Sequence, residues 1–264
     1  MTASSTRPLA LVTGASSGIG AVYAEQLAQH GYDLILTARR KERLEDIEAD
    51  LETRFGAHTE VIAADLGTTD GVNAVLEHVQ TKPLELLVNN AGFAHYAPVA
   101  TTPEFELEDM ILLNIMALVK LTRGALPGML ERKRGAIIQV ASGLAFLPGA
   151  TRATYSGTKA FVVNFTRALA EEVKDTGVKV QVLVPALIRT EFHERSGTDL
   201  SRFPADMVMD PRDLVMASLK GLERDEVVCT PALNDASELE ALYKSQFEMA
   251  SGVVRNGHVA DRYR

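Results

Sequence analysis

Tyr155-Ser156-Gly157-Thr158-Lys159 places a phenol four positions before an ammonium, in a stretch patterned as helix. Residues four apart share a helical face, so the ammonium can sit beside the phenol. A nearby cation favours the phenolate and lowers a tyrosine pKa from its usual value of about 10. That turns a poor general acid/base into a usable one near neutral pH. Of the six tyrosines, only Tyr155 has a lysine at this spacing. Ionisable pairs of this kind are often merely structural, so this one gains meaning from its company.

Directly after an apolar run, Thr13-Gly14-Ala15-Ser16-Ser17-Gly18-Ile19-Gly20 leads into a helical pattern. Gly14 permits a tight turn, Gly18 lets backbone approach a pyrophosphate, and Gly20 allows close helix–strand packing. The helix N-terminus would face the phosphates with its positive end, with Ser16, Ser17 and Ile19 around them. The end of the next apolar run indicates which dinucleotide. An NAD site places Asp or Glu there to accept from the ribose 2′-hydroxyl. Here Leu36-Thr37-Ala38-Arg39-Arg40-Lys41 has Ala38 at that position and no carboxylate before Glu42. Guanidinium groups suit a 2′-phosphate, so Arg39 and Arg40 favour NADP(H) over NAD(H).

These residues need a frame that gathers distant loops. Apolar runs of strand length lie at Pro8–Thr13, Leu34–Ala38, Glu60–Ala64, Leu86–Asn89, Gly135–Ala141, Val178–Val184 and Glu226–Cys229. Between them fall helix-period stretches near Ile19–His30, Arg43–Phe55, Thr69–Gln80, Pro103–Leu130, Thr154–Asp175 and Pro211–Arg224. Continuous Val/Ile/Leu runs suit strands covered on both faces. The alternation predicts an α/β, Rossmann-type doubly wound fold, with a seven-stranded, mostly parallel sheet and helices on both faces. No linker or repeat interrupts it, so residues 1–264 are expected to form a single domain. Within it, residues 1–7 are expected to be flexible and 190–210 to form a substrate lid. Residues 234–264 read as a C-terminal extension with a helix over Ala236–Ala250.

A formal charge of −8 disfavours binding to nucleic acid or to an anionic membrane. The most apolar run, Met110–Leu121, is too short to span a bilayer, and the first seven residues lack a secretory apolar core. A cytoplasmic protein is expected. The single cysteine, Cys229, reads as a small core residue. His58, His78, His95 and His193 show no paired spacing, so no metal is expected.

Gly14-x3-Gly18-x-Gly20, Asn89-Asn90-Ala91-Gly92, Ser142 and Tyr155-x3-Lys159 together resemble the short-chain dehydrogenase/reductase family, over about Leu9 to Thr190. The Arg-bearing second strand resembles its NADP-preferring branch. The resemblance implies that Tyr155 protonates a carbonyl oxygen during reduction and acts as base in reverse. It implies that Lys159 lowers the phenol pKa and binds the nicotinamide ribose, and that Ser142 donates to the same oxygen. Asn114, inside the long helix, matches the family's asparagine that holds a water in a proton relay to the lysine. Asp65, with Leu66, matches the adenine-contacting acid, while Asn90, Ala91 and Gly92 would pass the ribose. Pro185, Ile188 and Thr190 would meet the nicotinamide end. The family usually has Pro-Gly where this chain has Pro185-Ala186, and alanine would be strained there if that position needs positive φ.

Phe93, His95, Tyr96, Leu144, Phe146, Leu147, Phe192 and His193 fall on loops where they can line a largely apolar substrate pocket. The expected activity is hydride transfer between NADP(H) and a small-molecule carbonyl or secondary alcohol. A non-catalytic NADPH sensor or scaffold and an NAD-dependent alcohol dehydrogenase remain the alternatives. The resemblance also implies a homodimer or homotetramer, built on the two long helices.

Overall fold

Successive residues of a strand face opposite sides of its sheet, so a run without polar positions must be covered twice. The computed structural model, which describes residues 7–264, meets that requirement. Its first half comprises β1 (Leu9–Thr13), α1 (Gly18–Gln29), β2 (Asp33–Ala38), α2 (Lys41–Phe55), β3 (Thr59–Ala63), α3 (Thr69–Thr81) and β4 (Leu84–Asn89). There follow α4 (Glu104–Ile111), a π-helical turn (Leu112–Ala117), α5 (Leu118–Arg132), β5 (Gly135–Val140), α6 (Ala153–Glu172) and β6 (Val178–Leu183). The rest is β7 (Leu187–Ile188), α7 (Glu191–Arg195), β8 (Val208–Met209), α8 (Pro211–Glu223) and β9 (Val228–Cys229). This unit runs to Thr230, and a second compact unit, Pro231–Arg264, holds α9 (Ala236–Arg255). In α9 the Asp235 side chain caps the first turn by accepting from the Ser237 N–H.

The main sheet has seven strands in the order β3-β2-β1-β4-β5-β6-β9, all paired in parallel. Alternation divides its side chains between two cores. Ala10, Val12, Leu34, Leu36, Leu86, Val88 and Ile138 face one, against Tyr23 and Leu27 of α1 and Leu214 of α8. Leu11, Ile35, Leu87 and Ile137 face the other, against Val75 of α3 and Leu121 and Met129 of α5. Burying each such side chain contributes about 1.5–3 kcal/mol. Beside the first core, Tyr23 donates to Ser218 Oγ and Ser218 to Gln181 Oε1, each at 2.6 Å.

The chain leaves β1 toward β2 on one side, and the later strands continue from β4 on the other. The loops after β1 and β4 therefore open at the switch between the two directions, where α/β sheets hold ligands. The first of these is the glycine-rich loop, and the second is Asn90-Ala91-Gly92.

Three expectations change. The helix expected over Pro103–Leu130 is continuous from Glu104 to Arg132 but contains a π-helical turn around Asn114. By length and composition this stretch is apolar enough to cross a bilayer, which the shorter run Met110–Leu121 had hidden. Its Leu121, Ala125 and Met129 are buried in the second core, as in the interior helix of a folded domain. Residues 190–210, expected as a substrate lid, hold α7 and two short 3₁₀ turns, and β7 pairs in parallel with β8 to form a separate two-stranded sheet. Of the flexible N-terminus, residues 1–6 lie outside the described residues, whereas Arg7 is fixed. Its guanidinium donates to the carbonyls of Ala28, Gly31, Phe55 and Gly56, at the C-terminal ends of α1 and α2, where a cation is favoured.

Candidate active site

Helix α6 buries Tyr155, Thr158, Lys159, Val162, Val163, Thr166 and Leu169, a stripe at helical spacing that puts the tyrosine and lysine on the inner face. Ser142 follows β5 in extended backbone, and its hydroxyl accepts from the Leu144 N–H, which opens a 3₁₀ turn. The Ser142 hydroxyl thereby comes beside the Tyr155 phenol, where it favours the phenolate. Around the phenol lie Ala94, Met110, Phe93, Tyr96, Leu144 and Phe192. The Tyr96 ring meets Tyr155 edge-on at 5.7 Å, and Phe192 lies tilted at 6.0 Å.

The electrostatics differ from the expectation. Burial raises the Tyr155 pKa above its ordinary value, the nearby Tyr96 adds to this, and the Ser142 hydrogen bond opposes it. The Lys159 ammonium donates to the Val140 carbonyl at 2.9 Å and sits 5.8 Å from the ring centroid. Burial lowers the Lys159 pKa to about 8. The phenol is therefore a stored proton at neutral pH, and the lysine is the group that titrates nearest to it.

Asn114 is 1% exposed in its apolar surroundings and fully engaged. Its Oδ1 accepts from the Phe93 N–H at 3.1 Å, while Nδ2 donates to the Phe93 carbonyl at 3.0 Å and to Thr158 Oγ1 at 3.2 Å. The side chain thus pins the loop after β4 to α6. A Cβ on Gly92 would start 2.9 Å from Asn114 Oδ1 and 3.4 Å from Lys159 Nζ, so only glycine fits between them.

Asn90 is tied to the end of β1. Its Nδ2 donates to the Thr13 carbonyl at 2.9 Å, and Thr13 Oγ1 accepts from the N–H groups of both Asn90 and Ala91 at 2.9 Å. Thr13 thereby ties the ends of β1 and β4 together, a role its place beside the glycines did not announce. In the glycine-rich loop Gly14 and Gly18 have φ of +67° and +56°. Ser17 starts α1 without a side-chain cap, and no acid occupies the first turn, so the helix end is open to an anion.

The remaining expected positions divide. Arg39 is exposed and lies 3.9 Å from Asp65, which also accepts from the Gly67 N–H. Arg40 folds back over the glycine-rich loop onto Ser16 and Ser17. Leu66 belongs to the second core, and Ile19 packs on the first. Pro185 gives its carbonyl to the Gly143 N–H at 2.8 Å. Ile188 is buried, and Thr190 abuts Gly18. Ala186 is not among the non-glycine residues with positive φ, so its substitution for glycine costs no strain. His95 turns to Glu106 at 3.1 Å, Phe146 and Leu147 are exposed, and neither they nor His95 join the cluster around Tyr155. Among the described residues no group of three or more His, Cys, Asp or Glu is placed to hold a metal.

The sequence profile of the short chain dehydrogenase family matches residues 8–201, which contain every loop just described. The chain belongs to this family. A very-long-chain 3-oxoacyl-CoA reductase of Phaeosphaeria nodorum is 38% identical over 81% of this chain, which spans 63% of that relative's length. A short-chain dehydrogenase from Sphingobium yanoikuyae in complex with NADPH superposes with a TM-score of 0.92 at 36% identity, covering 97% of this chain and 100% of that one. A bulky-bulky ketone specific alcohol dehydrogenase from Comamonas testosteroni gives 0.88 at 31% identity, covering 97% and 98%. In this short-chain dehydrogenase, the residues missing from the sequence reading are Thr13, Thr158 and the Arg43–Glu191 pair. Each acts through a contact between distant segments that no local motif records.

Proposed function

We propose that this short-chain dehydrogenase reduces an apolar ketone or aldehyde to the alcohol with NADPH, and that Tyr155 supplies the proton. The observation that carries the reading is the Tyr155 phenol, buried in an apolar cluster with the Lys159 ammonium against its ring. The site fits a dinucleotide with a 2′-phosphate: the N-terminus of α1 is uncapped, β2 ends in Ala38 without a carboxylate, and Arg39, Arg40 and Arg43 follow. When bound, the cofactor supplies the hydride.

The Ser142 hydroxyl and Tyr155 phenol hold the substrate oxygen between two donors. As the carbonyl carbon gains hydride, the C=O π pair moves onto oxygen and that oxygen takes the Tyr155 proton. Ser142 supports the charge developing in between. Lys159, charged below about pH 8, faces the phenolate left behind. Phe93, Tyr96, Leu144 and Phe192 exclude water and suit apolar substituents.

Two substrate classes follow from the relatives: ketones with bulk on both sides, and long-chain 3-oxoacyl thioesters. The full-length match to the ketone-specific enzyme favours the first. In this reading the protein is a homodimer or homotetramer, supported by exposed Phe105, Ile111, Leu112 and Met116 on α4 and the π turn, and Phe161 on α6. The direct test is NADPH oxidation at 340 nm with diaryl ketones and 3-oxoacyl thioesters. Arg39→Asp should weaken NADPH at least tenfold relative to NADH, and an unchanged preference would overturn the cofactor assignment.

A further inference from the structure

Arg40 and Arg43 converge on a single carboxylate. Arg40 Nη1 lies 3.1 Å from Glu191 Oε2, and Arg43 Nη1 lies 2.7 Å from Glu191 Oε1. The same Arg40 keeps Nε and Nη2 on Ser16 Oγ, at 3.2 and 3.0 Å, and Nη2 on Ser17 Oγ at 2.7 Å. Arg43 and then Arg40 hold the Glu191 carboxyl below the usual carboxylate range. Two guanidiniums beside the glycine-rich loop, both aimed at one group of acceptor oxygens, are the arrangement a phosphate monoester takes. Glu191 offers them one negative charge, whereas such a phosphate carries about −1.5 to −2 and three acceptor oxygens.

We infer that Glu191 is a latch that occupies the 2′-phosphate-binding arginines and is displaced by NADP(H) but not by NAD(H). The inference rests on the NADP(H) reading above. Glu191 begins α7, next to Thr190 against Gly18 and to Phe192 against the Tyr155 ring. Displacing its carboxylate therefore moves the segment that carries one wall of the substrate cluster. A cavity of about 660 Å³ lined by Arg189, Thr190, His193, Thr198 and Asp199 gives that segment room to shift. The phosphate that distinguishes the two cofactors is thus coupled to the position of Phe192, about one helical residue from the latch. A ligand that breaks the latch forfeits part of its binding energy, so the latched protein binds more weakly than its open form.

The experiment measures cofactor affinity by nicotinamide fluorescence, and hydrogen exchange over residues 191–202, in the full-length wild type and in Glu191→Gln. The variant keeps the shape of the side chain and removes its charge. Its NADPH Kd should fall about fivefold, while its NADH Kd should stay within about twofold of wild type. In wild type, NADPH should speed exchange over this segment and NADH should not. In the variant, exchange should already be fast without cofactor. Arg43→Gln provides the converse: weaker NADPH, unchanged NADH. A wild type that prefers NADPH, with NADPH affinity unchanged or weakened in Glu191→Gln, overturns the latch alone. A wild type that prefers NADH overturns the cofactor reading and the latch with it.

Discussion

At the scale of single residues, the chemistry follows from how little water reaches α6. A phenolate at Tyr155 would have to be formed in an apolar cluster, so the proton stays on, and Ser142 only partly offsets that cost. Tyr155→Phe keeps the packing and removes the proton: kcat should drop about 10²–10⁴-fold, with NADPH affinity within about twofold of wild type. Turnover kinetics paired with fluorescence titration read both quantities. Lys159 makes a separate pH claim. Its folded pKa of about 8 lies below its unfolded value of 10.5, so the unfolded chain holds the extra proton between those limits. Stability from this site therefore rises with pH from about 8 to 10.5, and is absent below 8, where the buried ammonium is charged. Urea titrations of wild type and Lys159→Met should show a stability difference that shifts toward wild type across that window and stays flat below it. Turnover should decline over the same rise, because the ammonium that supports the phenolate is being lost. The glycines, Ser142, Tyr155 and Lys159 were legible in sequence because they are local motifs with fixed spacing. The electrostatic balance at Tyr155 was not, because it depends on Tyr96, Val140 and other segments that spacing does not bring together.

At the scale of elements, the π-helical turn is what lets a polar side chain sit in the middle of an apolar helix. A π turn inserts a residue into the helical phase and re-aims its neighbours. Here Asn114 is directed at the Phe93 backbone, where it holds both the N–H and the C=O of a loop residue that has no sheet partner. Asn114→Ala leaves those two groups without partners and should destabilise the protein by about 2–4 kcal/mol in chemical denaturation. It should also lower kcat, since the loop that it fixes carries Phe93 and adjoins Gly92. An alanine variant as stable as wild type would mean that water replaces the amide. The strands were readable because every one is a short apolar run, and the structure shows all seven in one parallel sheet. The β7–β8 pair was not, since Leu187-Ile188 and Val208-Met209 are two residues each and carry no periodicity. The π turn was hidden for the same reason: it changes the phase of the helix without changing its composition.

At the scale of the whole molecule, the sheet order brings the loops after β1, β4 and β5 to one end, which the proposed carbonyl chemistry shares with the cofactor loops. The opposite demand is placed on α4, the π turn and α6, which bury one face and leave Phe105, Ile111, Met116 and Phe161 in solvent. In the proposed homo-oligomer these exposed apolar side chains form the association surface. Phe161→Glu should reduce the mass measured by light scattering to that of a smaller species, while leaving NADPH affinity within about twofold, because Phe161 is remote from the glycine-rich loop. An unchanged mass would remove α6 from the interface. The central claim, carbonyl reduction with Tyr155 as proton donor, is tested most directly by a single turnover of NADPH-loaded protein with a diaryl ketone, followed at 340 nm in wild type and Tyr155→Phe. The expected result is stoichiometric loss of the NADPH signal with alcohol formed in wild type, and a rate lower by about 10²-fold or more in the variant. Equal rates in the two proteins would contradict the assignment of Tyr155.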